Sequence, residues 1–420
     1  MALPVKQSYI NAFIVYLSIF AAGAVLLEVA PTFVFLMEEF EVNAMMVGFL
    51  VSAFVMGFAF FGALLLFKGT TLADADLRLS FTVGTGMVGI FGFLVGFAPN
   101  YWSMWIFRLA VGFACIMLVV SMMLLAISWF PLEQLNPVVL LGTVSMVLGT
   151  LIAAFFGSKI MSLAGGWRAM YLIFGGIGLL AFVLWLILGK GAPSATNGAG
   201  LVSSEKSLAA QVITNKYVWY SSGMLYMLLC YLGIFAFLLV ALPGKFEVAE
   251  WTKTMVFPLS YYVSAIFNIP VMISGSMIGL WLLMKTGRRR PFSVIPGFLA
   301  PIVGLVIFSL PFSGVWMGVI IELIVLALFL LMLVVPTWLV QLQELPGVDL
   351  GILTNTVGAV LLISGTAGVI VPIVTGWALD QAIKVESYDP VFRGVLYFFV
   401  LTWLVCGLAG LLIPEPEATK

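Results

Sequence analysis

Three observations predict an all-α polytopic membrane protein with twelve transmembrane helices in two six-helix bundles. Of its 420 residues 63% are hydrophobic and only 9% are charged, against about 45–50% apolar and 25% charged in soluble domains. Its apolar runs are long and continuous, near the ~20 residues that cross a bilayer as a helix and without the alternation of barrel strands. One polar stretch separates six such runs from six more.

In chain order the runs fall at 9–36, 44–68, 79–98, 102–129, 136–163, 167–189, 217–242, 254–284, 292–311, 315–342, 350–379 and 391–413, numbered here as spans 1 to 12. Helices are the expected form because a chain in lipid must satisfy its own backbone. No positively charged segment with a small-residue cleavage site opens the chain, so the first run is expected to stay as a span. "KGAPSATNGAGLVSSEKSLAAQVITN", residues 190–215, is rich in Gly, Ala, Ser and Asn and reads as a linker between residues 1–189 and residues 216–420. With both termini cytoplasmic, that side carries eleven Lys and Arg, among them Lys6, Lys68, Arg78, Lys190 and the run at 288–290, and the other side six. The positive-inside rule favours this orientation, with a prokaryotic plasma membrane as the expected location.

Composition removes several function classes. Net charge is zero and His is absent, which leaves no basic nucleic-acid surface and no imidazole relay or metal site. Cys115, Cys230 and Cys406 lie in apolar runs without CxxC spacing, as buried small hydrophobes do. The 21 methionines show no ligand spacing and read as gap fillers. With no P-loop, nucleophile elbow or His/Cys ligand set, neither an enzyme nor an ATP-driven pump is expected, and no cofactor.

The two sets of spans repeat one another. Gly149 and Gly157 in span 5 have the spacing of Gly368 and Gly376 in span 11, and each pair precedes an aromatic-Arg step, Trp167-Arg168 with Tyr171 and Phe392-Arg393 with Tyr397. Parallel six-span repeats are a transporter architecture. "RLAVG" at 108–112, "GGWRAMYLIFG" at 165–175, "KTGRRRP" at 285–291, "GVIVPIVTGWALD" at 368–380 and the closing "IPEPEATK" together resemble the major facilitator superfamily. In the loop after span 2, Leu72, Ala73, Asp74 and Arg78 remain of the family's motif, with Leu77 at its later glycine; Met284 replaces the acid in the matching second loop. The resemblance implies gating roles for Asp74, Arg78, Arg288, Arg289 and Arg290, against which stands a purely topological role for the basic cluster. The Gly-Pro signature of antiporters is missing, since Thr150 follows Gly149, which favours symport or uniport.

Glu28, Arg108 and Glu322 are the charges that fall clearly inside spans. By the resemblance, helices 1, 4, 7 and 10 line a central cavity, and the three charges sit on spans 1, 4 and 10. At 1.5 Å per residue they lie ~12, ~9 and ~10 Å from the outer ends of their spans, so they share a level. An intramembrane ionisable residue points to function by default, with a helix-fixing buried ion pair as the structural alternative. Arg108, Glu28, Glu322, Tyr226, Trp105 and Thr32 are therefore the expected substrate-binding residues, and Glu28 and Glu322 the expected proton-coupling residues.

The function expected is proton-coupled transport of a small organic solute, an anion held by Arg108, by alternating access. Two alternatives remain: a proton-coupled exporter of lipophilic or cationic compounds, and a non-transporting sensor or scaffold with a transporter fold. Expected partners are the solute, protons and the lipid bilayer, with no nucleic acid and one chain acting as a monomer.

Overall fold

The computed structural model describes residues 5–73, 77–130, 132–190, 205–244, 259–310, 316–349, 352–385 and 391–415. Asp74 and most of the 190–215 linker lie outside these residues. Twelve helices among those described are long and apolar enough to cross a membrane. Span 1 consists of Val5–Leu27 and Val29–Glu39; spans 2 to 6 are Ala44–Ala73, Leu77–Val95, Tyr101–Trp129, Leu132–Ala164 and Trp167–Leu188. Spans 7 to 11 are Lys216–Gly244, Leu259–Thr286, Arg290–Ser309, Trp316–Gln343 and Leu353–Val385; span 12 is Val391–Thr402 with Leu404–Leu412. The face of the bundle on which spans 6 and 7 are joined is called the linker face, and the opposite one the far face.

The sequence repeat has a structural counterpart. Span 3 packs on span 6 and span 9 on span 12. On the linker face Arg78 Nη2 donates to the Gly189 carbonyl at 3.4 Å, and Arg290 Nη2 to the Ile413 carbonyl at 3.3 Å. On the far face Arg168 Nη1 donates to the carbonyls of Gly96 and Ala98 at 3.2 and 2.8 Å, and Arg393 Nη1 to that of Phe308 at 3.2 Å. Each arginine satisfies carbonyls that a helix end leaves without a partner. The chemistry of the aromatic-Arg repeat is therefore capping.

The seams between spans 1–6 and spans 7–12 differ. Span 2 lies against span 11 along its length, because small residues let the backbones meet. A Cβ on Gly48 would stand 2.3 Å from the Pro372 carbonyl oxygen, and one on Gly376 2.5 Å from that of Ala44. Asp380 accepts the N–H groups of Ala44 and Met45 at 2.8 and 2.9 Å on the far face, and Asn355 Nδ2 donates to the Leu66 carbonyl at 2.9 Å towards the linker face. Spans 5 and 8 instead share a small cluster at the linker-face end, Leu140 with Leu280 and Leu283. The two repeated glycine pairs thus differ in partner. Gly149 and Gly157 admit Phe20 and Pro31 of span 1, whereas Gly368 and Gly376 admit Val55 and Ala44 of span 2.

The described linker helix Glu205–Thr214 turns Leu208, Ala209 and Val212 into the protein and packs on spans 2, 7 and 11. Asn215 Nδ2 fastens its end to the Pro346 carbonyl at 2.8 Å.

Gly48→Ala is expected to lower stability by about 1–3 kcal/mol, the usual cost of overpacking. Gly176→Ala, whose Cβ would meet nothing within 4 Å, is expected to stay within about 0.5 kcal/mol of the parent. Thermal unfolding of the two purified variants checks the contrast, and equal shifts would contradict the packing described.

Candidate functional site

Pro31 explains the interruption of span 1. It has no N–H for the Leu27 carbonyl, and its ring crowds that carbonyl, so the helix breaks at Glu28 between Leu27 and Val29. A break in lipid leaves carbonyls that a neighbour must satisfy. Arg108 of span 4 does so: Nη1 donates to the Val25 carbonyl at 2.9 Å and Nη2 to that of Leu26 at 3.1 Å. Its Nε reaches the Leu50 carbonyl of span 2 at 3.0 Å, and Nη1 stands 3.5 Å from Glu28 Oε1. One guanidinium ties spans 1, 2 and 4. Its planar fork of five donors suits the task, where an ammonium could not cover the same directions.

The rest of "RLAVG" makes this reach possible. A Cβ on Gly112 would stand 1.8 Å from the Phe54 carbonyl oxygen, so only glycine lets span 4 lie this close to span 2, one turn below Arg108. Glu28 and Arg108 are both fully buried, and Glu28 Oε2 has no hydrogen-bond partner among the described residues. Thr32 is buried beside them, its hydroxyl 3.0 Å from that of Tyr171 on span 6.

The remaining expected site residues are placed elsewhere. Trp105 stacks on Phe49 of span 2 with centroids 5.3 Å apart. The Tyr226 hydroxyl neighbours Thr402 of span 12. Glu322 is exposed, on the stripe of span 10 that carries Val319 and Leu326, and takes no part in the Glu28 and Arg108 cluster. Arg289 pairs with Glu344 at the end of span 10, and the backbone N–H groups of Arg289 and Arg290 both donate to Glu415. Arg288 is exposed, with its backbone N–H on Thr286 Oγ1 at 3.2 Å.

A cavity of about 150 Å³ lies between the two sets of spans, walled by spans 1, 2, 4 and 5 on one side and 7, 10 and 11 on the other. Of its 22 lining residues only Thr143 and Trp338 carry a side-chain N–H or O–H. Both are engaged, Thr143 Oγ1 with the Val139 carbonyl at 3.3 Å and Trp338 Nε1 with Ser221 Oγ at 3.0 Å. Four methionines, Met122, Met146, Met224 and Met227, contribute adaptable walls. None of Arg108, Glu28, Glu322, Tyr226, Trp105 and Thr32 lines it. Towards the far face Phe33 of span 1 meets Phe237 of span 7 edge to face at 5.3 Å.

Twelve spans, a paired six-span repeat and a central cavity agree with what comparison with known proteins finds. The sequence profile of the Major Facilitator Superfamily matches residues 9–359. The chain belongs to that superfamily. A bacterial homolog of the human lysosomal transporter Spinster, in its inward-facing unoccupied conformation, superposes with a TM-score of 0.72 at 16% identity, over 98% of this chain and 97% of the other. The same homolog in an inward-facing occupied conformation gives a TM-score of 0.69 at 15% identity, over 98% and 97%. No match was found among curated protein sequences. Membership makes this facilitator a transporter rather than an enzyme, embedded in the membrane and moving a small molecule.

Sequence reasoning passed over the cavity lining, whose Leu, Val and Met have the composition of any apolar core. It passed over Asp380 too, though a signal was present: an acid near a helix C-terminus opposes the macrodipole and calls for a partner.

Arg108→Ala is expected to destabilise the protein by about 3–5 kcal/mol, since it strands Glu28 and three carbonyls. Glu28→Gln removes a single 3.5 Å contact and is expected to cost no more than about 1.5 kcal/mol. Denaturation midpoints in one detergent check the order; a more disruptive Glu28→Gln would reverse the assignment.

Proposed function

We propose that this facilitator is a secondary active transporter that carries a lipophilic or amphipathic small solute by alternating access, coupled to a proton. The supporting observation is the cavity lining, nearly devoid of free polar groups. A charged solute moved into such walls would lose its hydration without gaining a partner. An anionic solute would need Arg108, which is buried and committed to three backbone carbonyls and Glu28.

In this reading Glu28 is the proton site. It is a buried carboxyl with one oxygen unpartnered, at the break in span 1, where a change of charge acts on both helix segments. The linker face is the cytoplasmic one, from the distribution of Lys and Arg. A single chain contains the whole cavity, in keeping with a monomer.

The two ends of the seam between spans 2 and 11 serve as latches. The Asp380 carboxylate sits on the N-terminus of span 2, where the helix dipole favours it, and holds the far face shut. Asn355 holds the linker face. Releasing one while the other stays closed gives the two access states.

Two experiments test the proposal. Liposomes containing the purified protein should move an amphiphile of slow spontaneous transbilayer exchange, and filling the cavity by Leu228→Trp should cut that flux about fivefold or more, as 1–3 kcal/mol of lost solute binding implies. Glu28→Gln should retain downhill flux and lose accumulation driven by a pH gradient. Transport of small organic anions in place of amphiphiles would overturn the reading, and absence of any flux would favour a sensor. Spin-label distances across each face test the latches: Asp380→Ala should populate a state open at the far face, and Asn355→Leu one open at the linker face. Identical distance distributions in both variants would refute them.

A further inference from the structure

The two tyrosines of the aromatic-Arg repeat are put to different uses. Tyr397 is partly buried at the far face, where its hydroxyl donates to the Phe308 carbonyl at 3.0 Å and joins Arg393 in capping span 9. In the first half Arg168 caps span 3 by two bonds. Tyr171 has left that duty: it is fully buried, and its hydroxyl lies 3.0 Å from Thr32 Oγ1 of span 1. A hydroxyl buried beside an ion pair calls for another reason.

Counting hydrogens supplies one. Thr32 has a single hydroxyl hydrogen, and the Glu28 and Val29 carbonyls of its own span both stand 3.1 Å from its oxygen. Tyr171 is then the donor to Thr32, and its oxygen is left as an acceptor. Glu28 Oε2, one turn from Thr32, has no partner among the described residues, while Oε1 is held on the Arg108 side at 3.5 Å. An ionised carboxylate can only accept, so Oε2 and the Tyr171 oxygen are two acceptors short of one hydrogen. The charges of Glu28 and Arg108 both act on Tyr171, as they do only on a group in their surroundings. Arg108 of span 4 and Tyr171 of span 6 are the charged or titratable groups that face Glu28. The other helices packed on span 1 meet it with neutral groups among the described residues: Gly92 of span 3, Gly149, Thr150 and Gly157 of span 5, and Phe237 of span 7. Span 2 offers the Leu50 carbonyl, which Arg108 takes.

We propose that Tyr171 is the positioning residue of the proton site: when a proton from water forms an O–H bond at Glu28 Oε2, that O–H donates to the Tyr171 oxygen, and the tyrosine's own hydrogen stays on Thr32. This rests on the reading of Glu28 as the proton site and adds how the proton is felt. Loss of the negative charge frees the carboxyl from Arg108, and the new bond hands it to span 6. Span 6 already holds the second segment of span 1 at Thr32 and at Glu39, where Trp167 Nε1 donates at 2.7 Å. Protonation therefore ties the break to span 6 and loosens it from span 4.

Infrared difference spectra of the purified full chain, recorded as the pH is stepped, read both groups. The protonated-carboxyl band that Glu28→Gln removes belongs to Glu28. In Tyr171→Phe that band is expected at higher frequency, as for a carboxyl O–H without an acceptor, and its midpoint about 0.5–1 unit lower in pH, since a hydrogen bond to the neutral form favours that form. Tyr397→Phe should leave both unchanged. In the parent a tyrosine C–O band should shift together with the carboxyl band and stay still in Glu28→Gln, a measurement that needs no Tyr171 variant to fold. An unmoved carboxyl band in folded Tyr171→Phe, a midpoint moved to higher pH, or a parental tyrosine band indifferent to Glu28 would overturn the role of Tyr171 and leave the proton site standing. If Glu28→Gln removes no band, the proton site itself falls and this inference with it.

Discussion

The guanidinium of Arg108 is the contact on which the first six spans depend. It is fully buried, bonded to carbonyls of spans 1 and 2 and adjacent to the one carboxylate in its surroundings. A charge at this depth would cost at least ~2.5 kcal/mol on insertion scales. Here it takes up the Val25 and Leu26 carbonyls beside the break that Pro31 makes, so the proline and the arginine are two halves of one device. Gly112 is its third part, because without close approach of spans 2 and 4 the side chain could not reach both neighbours. The broken span in turn positions Leu26 on the cavity wall and Phe33 against Phe237 beyond it.

The same solution recurs in other spans. Pro336 frees the Met332 carbonyl and Ser276 accepts the duty; near Pro372 the Ser52 hydroxyl donates to the Val369 carbonyl at 2.7 Å. Bends in membrane helices persist where a neighbour restores the lost hydrogen bond. At Pro31, Pro336 and Pro372 a second helix thus donates to a carbonyl near the proline, and movement of one helix alters the satisfaction of the other. That arrangement suits a protein whose two sets of spans must change their contacts at each face in turn.

Much of this was legible in the amino-acid sequence. Span number follows from bilayer thickness, and the pairing of Glu28 with Arg108 follows from their equal depth. The capping role of Arg168 and Arg393 was visible as a repeat, though not as chemistry. Glu322 shows where depth alone misleads. Nine residues, two and a half turns, separate it from Leu331, so helix phase puts it opposite the face that lines the cavity. The cavity itself could not be read. Its Leu, Val and Met are the residues of any buried membrane helix, and only the relative placement of seven spans leaves a space between them.

The break at Glu28 also bears on how the chain assembles. Membrane helices enter the bilayer in the order of their synthesis, and each must satisfy its own backbone on arrival. Span 8 precedes span 10 and span 2 precedes span 11, so the hydroxyls that mend those later bends are already waiting. Span 1 has no such predecessor. Its Val25 and Leu26 carbonyls stay without Arg108 until span 4 is made, which keeps the first helix unfinished while two more are inserted. Docking of span 4 is thus the step that completes span 1, ahead of the packing of spans 5 and 6.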